Sequence, residues 1–455
     1  MQNTPKLTVS GYRGIWGESL TNEIVENYTK AFIKFVKENI KENPTLLLGR
    51  DGRESGPEIK KTIIKIFEEF GIEFIDGDIL PTPTVLFAVK KHNYDGAIII
   101  TASHNPREYN GLKFVNNKAL FTNEHEVEII KENYNALLQV SDTCKYEYST
   151  SVTPSRGFSI PHEHADQIIQ HINLEAIKNR KFKVAVDMIN ASACVLDPYL
   201  FEKLGVELIP LNNIPNGIFG HRPEPLKENL GDIANLVKEK GCDLGFAHDP
   251  DADRLVVINE EGEVISEEYT LAIGVEAVLS KNLNNKVVIN MSTSAVNKDI
   301  AEKYGGVCIR TKVGEANVVQ GIVENNAIIG GEGGGGVIYP LINMARDSFV
   351  SLSLILELLA ERNQTVTECV ASLPKYEVRK DKMPVSGDLK EIYSKLKDHF
   401  KEGIVNELDG LRLDFSDNSW IHLRSSNTEP IIRLIGEAKT KERIEGLFEE
   451  AKKLI

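Results

Sequence analysis

Ala97-Ile98-Ile99-Ile100-Thr101-Ala102-Ser103-His104-Asn105-Pro106 sets an unbroken apolar run directly against a polar segment. A short run of this kind, rich in β-branched residues and closed by turn residues, reads as a strand buried on both faces of a parallel sheet. In open α/β sheets, ligands bind beyond the carboxyl ends of the strands, where Ser103 falls. A hydroxyl on such a loop can act as a nucleophile or carry a phosphoryl group. Taken alone the segment is a turn, because Asn and Pro favour turns on their own account.

The same rhythm extends in both directions. Upstream stand Thr45-Leu46-Leu47-Leu48, an amphipathic stretch at 59–70 and Glu73-Phe74-Ile75. Downstream, a Ser/Thr/Pro-rich stretch at 149–159 reads as a linker. Beyond it come the strand patterns Lys183-Val184-Ala185-Val186, Val206-Glu207-Leu208-Ile209-Pro210 and Asp243-Leu244-Gly245-Phe246-Ala247. A third set starts with a helical run from Tyr269 and includes Lys286-Val287-Val288-Ile289, Ala327-Ile328-Ile329 and an apolar helix at 349–359. Strands alternating with helices predict βαβ units, and three successive sets suggest internal repetition. From about Lys375 the pattern changes to a helix at 389–400, strands at 410–415, 419–424 and 431–435, and a charged terminal helix, which predicts a small α+β domain. The expected divisions are 1–150, 151–259, 260–373 and 374–455.

Composition sets the outer limits. With 455 residues, 41% hydrophobic and 26% charged, the chain has apolar material for several cores and is too long for one. A formal net charge of -14 argues against a broad nucleic-acid footprint and requires any anion site to concentrate its Arg and Lys locally. The five cysteines are widely scattered, which points to no zinc site or disulfide framework and to a reducing cytoplasm. No signal-peptide or membrane-spanning run is evident, so a soluble protein without a membrane partner is expected.

Three further segments have the residue types for chemistry. In Asp249-Pro250-Asp251-Ala252-Asp253-Arg254, three carboxylates at alternate positions follow a strand. They can converge on a hard cation such as magnesium, and without a cation their repulsion behind an apolar strand is costly. Arg254 could pair with a phosphate oxygen nearby. In Gly330-Gly331-Glu332-Gly333-Gly334-Gly335-Gly336, each glycine costs roughly 1 kcal/mol against alanine in regular structure, so the run suits a sharp bend or close approach to a ligand. Glu332 is its one functional side chain and suits sugar hydroxyls. In Arg424-Ser425-Ser426-Asn427-Thr428-Glu429-Pro430, a guanidinium, hydroxyls and turn N–H groups form a candidate phosphate cradle. By themselves the last two favour the plainer readings, a flexible loop and a polar hairpin.

In this order and spacing, the four segments resemble the α-D-phosphohexomutase superfamily over nearly the whole chain. The resemblance implies three similar α/β domains with mixed sheets and a C-terminal α+β domain around a central cleft, one active loop from each. It implies a phosphoserine at Ser103, beside His104, and magnesium held by Asp249, Asp251, Asp253 and the phosphoserine itself. Arg13 matches the N-terminal active-site arginine and Lys113 the proposed general base, with Arg254 beside the metal ligands. Lys312 and Gly314 match the segment near the sugar, Glu332 and Gly334 the sugar loop, and Arg424, Ser426, Asn427 and Thr428 the site for the phosphate that is not transferred. The implied activity interconverts the 1-phospho and 6-phospho forms of glucosamine, mannose or glucose through a hexose 1,6-bisphosphate. Small hexose phosphates are then the partners.

The chain departs from the family where many members carry Ser and His in the sugar loop, because Gly334 and Gly336 stand at those positions. This removes a hydroxyl contact and a candidate proton donor. Two other readings share these residues: a metal-dependent sugar phosphatase, in which water accepts the phosphoryl group, and a non-catalytic sugar-phosphate sensor.

Overall fold

A computed structural model describes residues 6–139, 155–157, 159–384, 387–425 and 431–455. They gather into two compact units, one of Gln2–Glu267 with Gly336–Val366 and one of Glu268–Gly335 with Thr367–Ile455. Most of the expected linker at 149–159 lies outside the described residues.

In the larger unit, Gly96–Ile100 is a strand with every residue buried. It lies parallel to Thr45–Arg50, which lies parallel to Glu73–Ile79. Successive side chains leave a strand on opposite faces. Leu46, Leu48, Ile98 and Ile100 therefore join Phe32, Val36 and Phe67 from the helices Asn22–Asn39 and Gly56–Glu69. Leu47, Ala97 and Ile99 instead meet Val85 and Val89 of the helix Thr82–His92. Each Ile or Phe hidden in this way contributes about 1.5–3 kcal/mol before entropy is counted.

The sheet is mixed. After the strand Gly96–Ile100, the chain turns back as Tyr109–Asn116, antiparallel to it, and Tyr12–Ile15 pairs antiparallel beyond that. Reading by apolar period passes over Tyr109–Asn116 because Asn110, Lys113 and Asn116 interrupt the alternation, although all three are buried. The Ser103 segment is thus the loop of an antiparallel hairpin. The second sheet repeats the arrangement: Lys183–Asp187 lies between parallel neighbours Glu207–Leu211 and Leu244–His248, and Leu255–Ile258 folds back antiparallel on the latter. The acidic segment at 249–254 is the loop of that hairpin.

In the smaller unit, Lys286–Asn290 lies parallel to Val307–Thr311 and to Ile329–Glu332. The first half of the glycine run is therefore strand. A side chain at Gly330 would run into the Val288 carbonyl, so close approach of two strands explains that glycine. An antiparallel sheet follows, in the order Glu377–Pro384, Ile431–Ala438, Trp420–Ser425, Leu411–Asp414, Ile404–Asn406. Leu413, Ile421 and Leu434 on it pack against Ile392 and Leu396 of the helix Leu389–His399 and Phe448 of the helix Lys441–Lys452. The α/β repetition and closing α+β segment agree with the expected fold class. Among the described residues, no helix is long and apolar enough to cross a membrane.

Candidate active site

Ser103 is buried at the tip of its hairpin with φ +52°, a left-handed conformation uncommon outside glycine. Its N–H donates to Thr101 Oγ1 at 2.9 Å, and Thr101 Oγ1 donates to Asp51 Oδ2 at 2.7 Å. Asp51 is paired at 3.0 Å with Arg53, and both are fully buried. The Arg53 guanidinium donates to the carbonyls of Ser103, Asn105, Pro106 and Tyr109 at 2.6–2.8 Å. One side chain thereby holds the loop through four backbone groups, which keeps the strained serine in place.

The aspartate loop is similarly constrained. Asp249 Oδ1 accepts from the N–H groups of Asp253 and Arg254, and Ala252 adopts φ +56°. Asp249 Oδ2 accepts from Ser103 Oγ at 3.4 Å. Asp251 Oδ2 accepts from Lys113 at 2.7 Å and from Thr82 at 2.8 Å, and Asp253 Oδ2 from Arg346 at 2.6 Å. One oxygen from each aspartate lies within 4.8 Å of the others. Asp251 Oδ1 and Asp253 Oδ1 are buried without a hydrogen-bond partner, an expensive arrangement that a hard cation would relieve. The residues therefore fit a magnesium ion.

Burial first, then the carboxylates of Asp253 and Asp251, push the Asp249 carboxyl well above its usual range. Burial acts on Asp251 in the same sense, but Lys113 and Thr82 outweigh it and hold Asp251 below the usual range. Like charges share this site at a cost that a divalent ion offsets. Four cations surround the three carboxylates: Lys113 and Arg346 by direct ion pairs, Arg254 at 3.8 Å from Asp253, and Arg13 through its field on Asp251 and Asp253. Arg13 also donates to Asn105 Oδ1 at 3.0 Å. The His104 ring is 3.2 Å from Ser103 Oγ. Arg254, then burial and Arg13, hold His104 well below its ordinary value, so the ring is neutral near pH 7.

The smaller unit brings together a second group. Glu332 Oε1 accepts from Asn290 Nδ2 at 2.8 Å and from the Gly314 N–H at 3.0 Å. This joins the glycine run to the segment carrying Lys312, whose side chain is exposed. Asp409 Oδ2 accepts from the Val313 N–H at 2.9 Å. Burial lowers the Arg424 guanidinium, and Asp409 and Glu332 are among the charges acting on it. Arg424 sits directly across from Arg433 in the sheet, a like-charge pair that an anion would stabilise. Gly334 is half-buried. Ser426, Asn427 and Thr428 lie outside the described residues.

Reading the sequence passed over Asp51, Arg53, Thr82, Arg346, Asp409 and Arg433. Asp51 and Arg53 had a usable signal, since Gly49-Arg50-Asp51-Gly52-Arg53 follows the apolar run at 45–48, where ligands bind. Arg346 and Thr82 had none, because their partners are 93 and 169 residues away.

The chain matches the four descriptions of phosphoglucomutase/phosphomannomutase: alpha/beta/alpha domain I over 5–140, domain II over 162–262, domain III over 266–376 and the C-terminal domain over 379–454. It is 36% identical to a phosphoglucomutase/phosphomannomutase of Thermococcus kodakarensis, with 98% of this chain and 97% of that one covered. It is 34% identical to a phosphoglucosamine/phosphogalactosamine mutase of Sulfurisphaera tokodaii, with 98% of each covered. A crystal structure of a phosphoglucomutase/phosphomannomutase family protein from Burkholderia thailandensis superimposes with a TM-score of 0.85 at 26% identity, over 99% of this chain and 97% of that one.

Proposed function

The chain belongs to the phosphoglucomutase/phosphomannomutase family of the α-D-phosphohexomutase superfamily, and from that premise we propose that it is a hexose phosphate mutase working through a phosphorylated Ser103. The observation that carries the reading is the placement of Ser103 Oγ, buried, strained and 3.4 Å from Asp249, beside three carboxylates and four cations. A phosphoserine brings a charge of about −1.5 to −2, and this excess of cations is suited to it.

Phosphoryl transfer depends chiefly on positioning and electrostatic stabilisation. Asp249, Asp251 and Asp253, with an oxygen of the Ser103 group, would hold a magnesium ion, which supplies charge stabilisation to phosphoryl oxygens when bound. A sugar hydroxyl oxygen forms the new bond to phosphorus as the bond from Ser103 Oγ breaks, giving a hexose 1,6-bisphosphate. After the sugar turns over, Ser103 Oγ takes back the other phosphoryl group. On the family resemblance we assign the proton of the attacking hydroxyl to Lys113, which accepts it in the amine form; as the ammonium paired with Asp251 it adds positive charge beside the phosphoryl group. The proton of Ser103 Oγ we assign to His104, 3.2 Å away: its neutral ring takes the proton when Ser103 Oγ accepts a phosphoryl group, and the imidazolium so formed beside the phosphoserine returns it when that bond breaks. Arg13 and Arg254 face the phosphoryl group. Glu332, Gly314, Lys312 and Gly334 address the sugar, and Arg424 with Ser426, Asn427 and Thr428 holds the resting phosphate. The work of the four segments divides at 150, 259 and 373, and the setting is cytoplasmic.

Ser103→Ala tests the proposal. Mutase turnover should vanish with the melting temperature nearly unchanged, and mass analysis of the wild-type protein should find phosphate on Ser103. Substantial turnover by the variant would sink the assignment. Steady release of inorganic phosphate without bisphosphate stimulation would indicate a phosphatase instead. Side-by-side kcat/KM values for glucosamine, mannose and glucose phosphates identify the sugar.

A further inference from the structure

Each of the three aspartates has one oxygen already engaged by the protein. Asp249 Oδ1 is taken by two backbone N–H groups, at 3.1 Å each. Asp251 Oδ2 is taken by Lys113 and Thr82. Asp253 Oδ2 is taken by Arg346 at 2.6 Å, with Lys113 more distant at 3.7 Å. Asp249 Oδ2, which faces Ser103, Asp251 Oδ1, which has no hydrogen-bond partner, and Asp253 Oδ1, which likewise has none and meets Arg254 only at 3.8 Å, remain for a cation. The protein thus offers one oxygen per carboxylate. Magnesium takes six close ligands in octahedral geometry, whereas calcium takes six to eight and readily uses both oxygens of a carboxylate. Engaging the second oxygens therefore disfavours calcium.

The three engagements differ in strength. That of Asp249 is built from backbone and that of Asp251 is doubled, so only that of Asp253 rests mainly on one side chain. Arg346 is held firmly. Its backbone bridges Ile338, and the next residue donates from Asp347 N to Val337 O at 2.9 Å. Ser348 Oγ donates at 2.6 Å to the carbonyl of Ala252, within the aspartate loop itself. The Arg346 stem lies where a side chain at Gly336 would have to go, since a Cβ there would run into Arg346 Cδ and Cγ. The glycine at 336 is the room this arginine needs.

We propose that Arg346, seated against Gly336, determines the cation selectivity of the triad by holding Asp253 to a single free oxygen. Arg346 is a positioning residue, because it acts through Asp253. The inference rests on the reading of the triad as a divalent cation site. A simple charge effect is separable from it: removing a nearby positive charge raises the affinity for magnesium and calcium alike and leaves their ratio unchanged.

The test is calorimetric titration of the metal-stripped full chain with Mg2+ and, separately, Ca2+. For Arg346→Gln, the ratio of the calcium Kd to the magnesium Kd should fall by about tenfold against wild type. Gly336→Ala should move it in the same direction by displacing Arg346, and Arg346→Lys should restore most of the wild-type ratio. Should Arg346→Gln fail to fold, Gly336→Ala and Arg346→Lys decide the matter alone. A ratio within about twofold of wild type in the folded Gln or Ala variant, or equal changes for both cations, overturns the inference. Wild-type protein that binds neither cation overturns the underlying site reading instead.

Discussion

The two units prepare their functional groups to different degrees. In the larger, Ser103, Asp249, Asp251, Asp253 and Lys113 are all buried, and every one is bonded to at least one other element of that unit. In the smaller, Glu332 and Arg424 are half-buried, Lys312 is exposed, and backbone N–H groups supply much of the bonding. Reacting groups gain from a rigid, desolvated setting, where charge interactions are stronger and misplacement is costly. Groups that must grip a sugar in two orientations gain less from rigidity, and glycine-rich backbone with few side chains tolerates both. The contrast predicts that substitutions in the larger unit act on kcat and those in the smaller act on KM.

The largest expected effect is that of Asp251→Asn. Loss of a proposed cation ligand and of the Lys113 pair should lower kcat by about 10³-fold, because the charge stabilisation at stake is worth several kcal/mol. Activity within tenfold of wild type would break the contrast at its strongest point. Next comes a pH effect on the smaller unit. His422 is buried between Ser292 and the Asp409 carbonyl, and burial lowers it from 6.5 to about 4. A base depressed in the folded state contributes stability that is complete above pH 6.5 and is lost as pH falls toward 4. The contribution is about 3 kcal/mol. Denaturant midpoints of wild type should fall more steeply between pH 7 and 5 than those of His422→Gln, and parallel slopes would refute this.

Arg53→Lys sharpens the comparison within the larger unit. A single ammonium cannot serve four carbonyls, so the serine loop should loosen and kcat should drop about a hundredfold with KM little changed. A rise in KM alone would contradict the positioning role. The smallest effect expected is from Arg424→Gln, where loss of the charged hydrogen bond proposed to the resting phosphate should raise KM about tenfold and leave kcat within about threefold. A drop confined to kcat would place Arg424 with the reacting groups instead.

Much of this was legible in the chain itself. The strands at 45–48, 97–100 and 183–186 announce themselves because burial on both faces demands unbroken apolar residues. The loops carrying Ser103 and the three aspartates were legible as polar segments after such strands, and it was their joint order along the chain, not either loop alone, that set them apart from ordinary turns. The strand Tyr109–Asn116 was not legible, because Asn110, Lys113 and Asn116 are buried for their partners and break the apolar period.

The sequence by itself determined the α/β repetition, the closing α+β segment and the position of Ser103 and the three aspartates in polar segments after apolar strands, all of which depend on residue type and near-neighbour spacing. Tertiary structure alone decided that Lys113 meets Asp251 across 138 residues, that Arg53 holds the serine loop from 50 residues away, and that Arg346 reaches Asp253 only because position 336 has no side chain. The physical reason is that hydrophobic period reports whether a residue is buried, whereas charge pairing and steric room depend on which distant segment is folded against it.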